Sequence, residues 1–85
     1  MTEQLIGRIA LVTGGGRGIG RATAMALAAA GIDVAVAARS AAELEETARE
    51  IRRLGRRAEP LVCDVTRRGD IEQTLERVRA SLGEP

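Results

Sequence analysis

The sequence predicts an α/β fold of the doubly wound class, a parallel sheet with helices on its faces, laid down as one β-α-β-α-β-α run. Three observations predict it. Short apolar runs alternate with longer stretches of helical periodicity. The apolar runs are continuous, as suits strands covered on both faces. Glycines stand at the junctions, where a strand or helix has to stop. Such alternation implies parallel strands joined by right-handed crossovers.

The first strand is placed at residues 8–13, where IALVT stops at glycines. Gly14–Gly18 is a glycine-rich turn. A helix over residues 18–30 follows, with Ile19, Thr23, Ala26, Leu27 and Ala30 along one side and Gly31 as its stop. The second strand is 33–38, DVAVAA. Ser40 is the N-cap of a second helix over 41–54, and Glu43 completes a capping box. Leu44, Ala48, Ile51 and Leu54 form that helix's apolar face, and Glu45 and Arg49 are an i,i+4 pair in the favoured order. Gly55 ends it. The third strand is 58–63, and Pro60 within it demands a sheet edge. Thr66 is the expected cap of a third helix over 67–82, with Ile71, Leu75, Val78 and Leu82 turned inward and Gly83 closing it.

The expected strand order is 3-2-1, which puts Pro60 on an edge. In a complete doubly wound sheet the first strand would be central. If the chain stops where this one does, that strand is an open edge, a place for self-association or pairing with another chain. The 85 residues thus read as one Rossmann-type dinucleotide-binding domain of which only the first half is present, a truncated copy or a gene fragment.

Composition excludes several functions. The chain is 45% hydrophobic and 29% charged with a net charge of +1, so no basic footprint marks a nucleic acid or an anionic membrane as partner. It has no His, Lys, Asn or aromatic residue. A zinc site lacks ligands, a Ser–His–Asp triad cannot be assembled, and a Walker A loop lacks its lysine. Base stacking on rings is also out. Cys63 is alone and reads as a small core residue; a lone cysteine suits a reducing compartment, and the cytoplasm is the expected location. No signal peptide or membrane span is expected.

The chemistry lies in Thr13-Gly14-Gly15-Gly16-Arg17-Gly18-Ile19-Gly20. A turn from strand to helix that brings bare backbone to a pyrophosphate needs glycine, and the helix N-terminus adds free N–H groups and partial positive charge. The spacing is not GxGxxG in any register but TGxxxGxG, on Thr13, Gly14, Gly18 and Gly20. This pattern resembles the short-chain dehydrogenase/reductase family, and the resemblance runs the length of the chain. It implies an NAD(P)-dependent oxidoreductase acting on carbonyl or alcohol groups. Within the family, TGGGRGIG with Arg39 looks like the branch that includes 3-oxoacyl-acyl-carrier-protein reductases.

An acidic residue after the second strand would hold a ribose 2′-hydroxyl. Ala37-Ala38-Arg39-Ser40 carries none. Arg39 sits where a 2′-phosphate would lie, with Ser40 beside it and Arg17 as a second candidate cation. Two solvated surface arginines are the plainer alternative. The resemblance implies that basic residues at both places accompany NADP(H), in preference to NAD(H). Asp64-Val65 follows the third strand, and the resemblance implies that this Asp accepts from the adenine amino group while Val65 holds the ring. An aspartate that orders the turn is the alternative. The expected cofactor contacts are thus Thr13, Gly14, Gly16, Arg17, Gly18, Ile19, Gly20, Arg39, Ser40, Asp64 and Val65.

The family's catalytic Tyr, Lys, Ser and Asn have no counterparts, so no catalytic and no metal residue is expected in these 85 residues. Three other readings stay open: a non-catalytic nucleotide-binding or dimerisation module, an inert gene fragment, and a methyltransferase half binding S-adenosylmethionine. Arg39 and Gly20 speak against the last, which would favour an acidic residue after the second strand.

Overall fold

The computed structural model describes residues 8–64 and 66–83. Its elements run β1 (Ile9–Thr13), α1 (Gly18–Ala29), β2 (Asp33–Ala38), α2 (Ala41–Arg53), β3 (Ala58–Val62) and α3 (Arg68–Ser81). The three strands are parallel, in the order β1-β2-β3. Ile9 pairs with Asp33 and Thr13 with Ala37; Val34 pairs with Ala58 and Ala38 with Val62. Pro60 lies on an edge strand, where its missing N–H leaves no ladder bond unmade.

β2 is the middle strand, and Asp33 to Ala37 are all buried. The pleat sends its side chains alternately to two cores. Val34 and Val36 join Ala24, Ala28, Leu44, Ala48 and Ile51 beneath α1 and α2. Ala35 and Ala37 join Leu61, Cys63 and Val78 beneath α3. β1 pairs with β2 alone among the described residues, and its apolar positions are only half-buried.

The helices correct several sequence expectations. α1 buries Ala24 and Ala28, while Thr23 and Ala26 are exposed and Ile19 is 87% exposed. Gly20, Ala24 and Ala28 recur at i,i+4, and these small residues let the helix axis come close to the sheet. In α2, Leu44, Thr47, Ala48 and Ile51 are buried, but Leu54 is the C-cap and 47% exposed, because the chain turns away at Gly55 (φ +83°). The intrahelical ion pair there is Glu50–Arg53 at 2.6 Å, not Glu45–Arg49.

In α3, Thr74 and Val78 carry the burial, with Leu75 and Leu82 half-buried and Ile71 39% exposed. Thr66 does not cap this helix. Arg67 is the N-cap, with no side-chain cap bond, and the Thr66 hydroxyl donates to Asp64 Oδ1 at 2.6 Å instead. Asp70, in the first turn, accepts from the Asp64 N–H at 3.2 Å.

At the N-terminal end of β2, buried Asp33 gathers two arginines. Oδ1 accepts from Arg56 Nε (3.1 Å) and the Arg57 N–H (3.0 Å), and Oδ2 from Arg57 Nε (2.9 Å). Burial raises its pKa, but the hydrogen bonds from Arg57 and the charges of Arg56 and Arg57 outweigh this, leaving the carboxyl below its ordinary value.

Candidate functional site

The glycine turn lies at the C-terminal edge of the sheet, where open α/β sheets bind ligands. Its backbone is tied to β2: the Gly14 and Gly15 N–H groups both donate to the Ala37 carbonyl, at 2.7 and 3.3 Å. Gly14 and Gly18 take positive φ (+68° and +60°), a region costly to any residue with a Cβ. Gly20 is required for a different reason: a Cβ there would overlap the Gly14 carbonyl oxygen. The turn is therefore pressed against the first turn of α1 by close backbone contact.

α1 begins without a side-chain cap and with no acidic residue in its first turn. Its first N–H groups have no intrahelical acceptor and carry the positive end of the helix dipole. Such a helix end is chemically suited to an anion such as a phosphate.

A cleft of about 630 Å³ opens here. It is lined by Gly14, Gly16, Arg17 and Gly18 from the glycine turn and the start of α1, and by Ala38, Arg39, Ser40 and Glu43 from the end of β2 and the start of α2. Six of the residues expected from the sequence thus meet in one place. Thr13 ends β1 beside it, exposed, and Ile19 projects outward from the first turn of α1. Gly20 lies beneath the turn. Asp64 reaches the site through Arg39, whose Nη2 is 3.8 Å from its Oδ1. Val65 lies outside the described residues. A hollow of about 690 Å³ along α3 is lined by that helix alone, with no convergent backbone donors, and is not a site of this kind.

Two residues of α2 complete the arrangement, and the sequence reading missed both. The buried Thr47 hydroxyl donates to the Gly16 carbonyl at 3.5 Å, across 31 positions of chain. Glu43 was expected to close a capping box. Half of that box forms, with the Glu43 N–H donating to Ser40 Oγ at 3.3 Å. The side chain goes elsewhere: Oε2 lies 4.0 Å from Arg17 Nε, and a Cβ added at Gly16 would stand 3.0 Å from Glu43 Cβ. A helical side chain leans toward the helix N-terminus, so an N3 residue of a helix starting at the end of β2 is aimed back at the turn. That was the available signal.

The two candidate cations are well solvated, Arg17 with 85% of its side chain exposed and Arg39 with 76%. Among the described residues, Arg17 pairs with Glu43 and Arg39 with Asp64. Asp64 is an acceptor first: hydrogen bonds from the Thr66 hydroxyl and N–H hold its pKa below the ordinary value, and the charges of Arg39 and Arg67 add to this. Among the described residues, no group of three or more Cys, Asp or Glu could hold a metal, and no helix is long and apolar enough to cross a membrane.

Known proteins resemble the chain throughout. A family model described as short chain dehydrogenase matches residues 8–84. An uncharacterized oxidoreductase of Mycobacterium tuberculosis is 48% identical over 58 residues, covering 68% of this chain and 22% of the relative. A short-chain dehydrogenase/reductase homolog of Bacillus subtilis, YusS, is 41% identical over 75 residues, covering 87% of this chain and 69% of the relative. The crystal structure of L-sorbose reductase from Gluconobacter frateurii, complexed with NADPH and L-sorbose, superposes with a TM-score of 0.87 at 33% identity. It is covered to 30% of its length by 92% of this chain. The chain spans about a quarter of the length of four curated relatives it matches, between 22% and 26% of each.

Proposed function

The chain belongs to the short-chain dehydrogenase family, and from that premise we propose that it is the NADP(H)-binding portion of a carbonyl or alcohol oxidoreductase. The observation that carries this reading is that Arg17 and Arg39 line one cleft, and that the end of β2 which borders it, Ala37-Ala38-Arg39-Ser40, carries no carboxylate. Bound there, the cofactor would supply or accept a hydride. The chain's own residues bind and orient it. The glycine turn and the open end of α1 receive the pyrophosphate, with Thr13 and Ile19 flanking it. Arg17 and Arg39 grip a 2′-phosphate, with the Ser40 hydroxyl beside them. Asp64 and Val65 receive the adenine. The family's Tyr, Lys and Asn have no counterpart among these 85 residues, and the role proposed for these residues is cofactor binding. A 3-oxoacyl-acyl-carrier-protein reductase is the kind of enzyme this half would serve.

Titration of NADPH into the chain, followed by cofactor fluorescence with NADH as control, tests the reading. The absence of Trp and Tyr keeps the background low. Saturable binding that favours NADPH supports it; equal binding of the two, or none by a folded sample, overturns it. Buried Cys63 as the lone cysteine fits a reducing compartment, and the proposed cytoplasmic location is checked by cell fractionation.

A second reading keeps the nucleotide site and adds dimerisation through β1. It is favoured by the unpaired side of that strand among the described residues. Sedimentation that returns a monomer at all concentrations would exclude it.

A further inference from the structure

Glu43 is a charge in the wrong place for a site built only to hold phosphate. It lines the cleft with Arg17 and Arg39. Its position is fixed from both sides: Ser40 Oγ holds its backbone N–H, and Thr47, one turn on, ties α2 to the Gly16 carbonyl. The carboxylate faces Arg17 across 4.0 Å and does not fold back to cap its own helix. Helix capping alone therefore does not account for it.

Resting on the NADP(H) reading, we infer that Glu43 sets the preference between 2′-phosphorylated and unphosphorylated dinucleotides by opposing the phosphate. A 2′-phosphate carries nearly two negative charges at neutral pH, and it must share Arg17 with a carboxylate already facing that guanidinium. Both groups lie at the mouth of the cleft, where screening is substantial but charges a few ångströms apart still interact. NAD(H), with hydroxyls at that point, meets no such repulsion. Arg17 is thus offset, and the site discriminates less sharply than its basic residues alone would make it.

Glu46 supplies the control. It lies on the same helix and pairs with Arg21 at 3.9 Å, but does not line the cleft. The experiment is a titration of NADPH and NADH into the full chain as wild type, Glu43→Gln and Glu46→Gln, by cofactor fluorescence, with circular dichroism for the fold. Gln keeps the length of Glu and its helix-capping capacity. Glu43→Gln is expected to tighten NADPH about five- to tenfold, to leave NADH within about twofold, and to separate from Glu46→Gln, which changes neither. An unmoved NADPH/NADH ratio in a folded Glu43→Gln overturns the inference alone. So does weaker NADPH binding, which would make Glu43 a positioning residue for Arg17. A folded wild type that binds neither dinucleotide overturns the parent reading and this one together, and is recognised before any variant is compared.

Discussion

Gly20 lies over the carbonyl oxygen of Gly14, close enough that no Cβ fits between them. This contact seats the glycine turn on α1 and leaves the turn's outer side bare. Gly20→Ala therefore has to push backbone from backbone. We expect it to lower stability by about 2–4 kcal/mol, and to reduce cofactor binding through the displaced turn. Gly69→Ala is the counter-case: a Cβ there meets open space in α3, and about 0.5–1 kcal/mol of stabilisation is expected. Urea midpoints of the two variants should move in opposite directions.

Asp33 is the charge that the fold holds tightly, between Arg56 and Arg57. Asp33→Asn keeps the shape but removes the anion, and is expected to cost about 1–3 kcal/mol. The solvated Arg57 side chain, 60% exposed, keeps the loss below that of a fully buried pair. The pH dependence follows from the lowered pKa. The stabilisation is whole above the ordinary value of 3.8 and is lost as the pH falls below it, through the lower value of the folded state. Urea denaturation from neutral to acid pH should show this loss in the wild type and a flatter profile in Asp33→Asn.

Arg39→Ala is expected to weaken NADPH binding about tenfold, or about 1.4 kcal/mol, and to leave NADH nearly unchanged. Arg17→Ala should act in the same direction but less, since Glu43 already offsets its charge. The salt dependence of NADPH affinity should fall in both. Weakening of NADPH and NADH alike in Arg39→Ala would assign that residue to the ribose or the fold rather than to the 2′-phosphate.

Thr47→Val removes a buried hydroxyl without changing its volume much. The Gly16 carbonyl loses its donor from α2, and the expected cost is about 1 kcal/mol. Because Gly16 lines the cleft, NADPH and NADH should both bind more weakly in this variant. Unchanged stability together with unchanged binding would show that the 3.5 Å contact does no more than fill space.

The order and type of the elements were legible in the sequence. Gly31 and Gly55 (φ +95° and +83°) mark helix ends, and Ser40 marks a helix start; these signals act over three or four residues and need no partner from elsewhere. The buried side of α1 was not legible. In GIGRATAMALAA most faces are small and weakly apolar, so the periodicity has little contrast, and Ile19, one of its two large branched aliphatics, faces outward. Thr66 misled because the motif suited a cap, while Asp64, two residues earlier, offered its hydroxyl a stronger acceptor.

By itself the sequence determined the parallel α/β run, the TGxxxGxG turn and an arginine, not a carboxylate, at the end of β2. These are local properties of backbone freedom and periodicity. Only the tertiary structure decided that Glu43 and Thr47 reach the glycine turn, and that Asp33 takes Arg56 and Arg57 as partners. Those contacts join residues 23 to 31 positions apart, and they depend on how closely the helices and strands approach. That approach is set by the small side chains packed between them, which no short window of sequence measures.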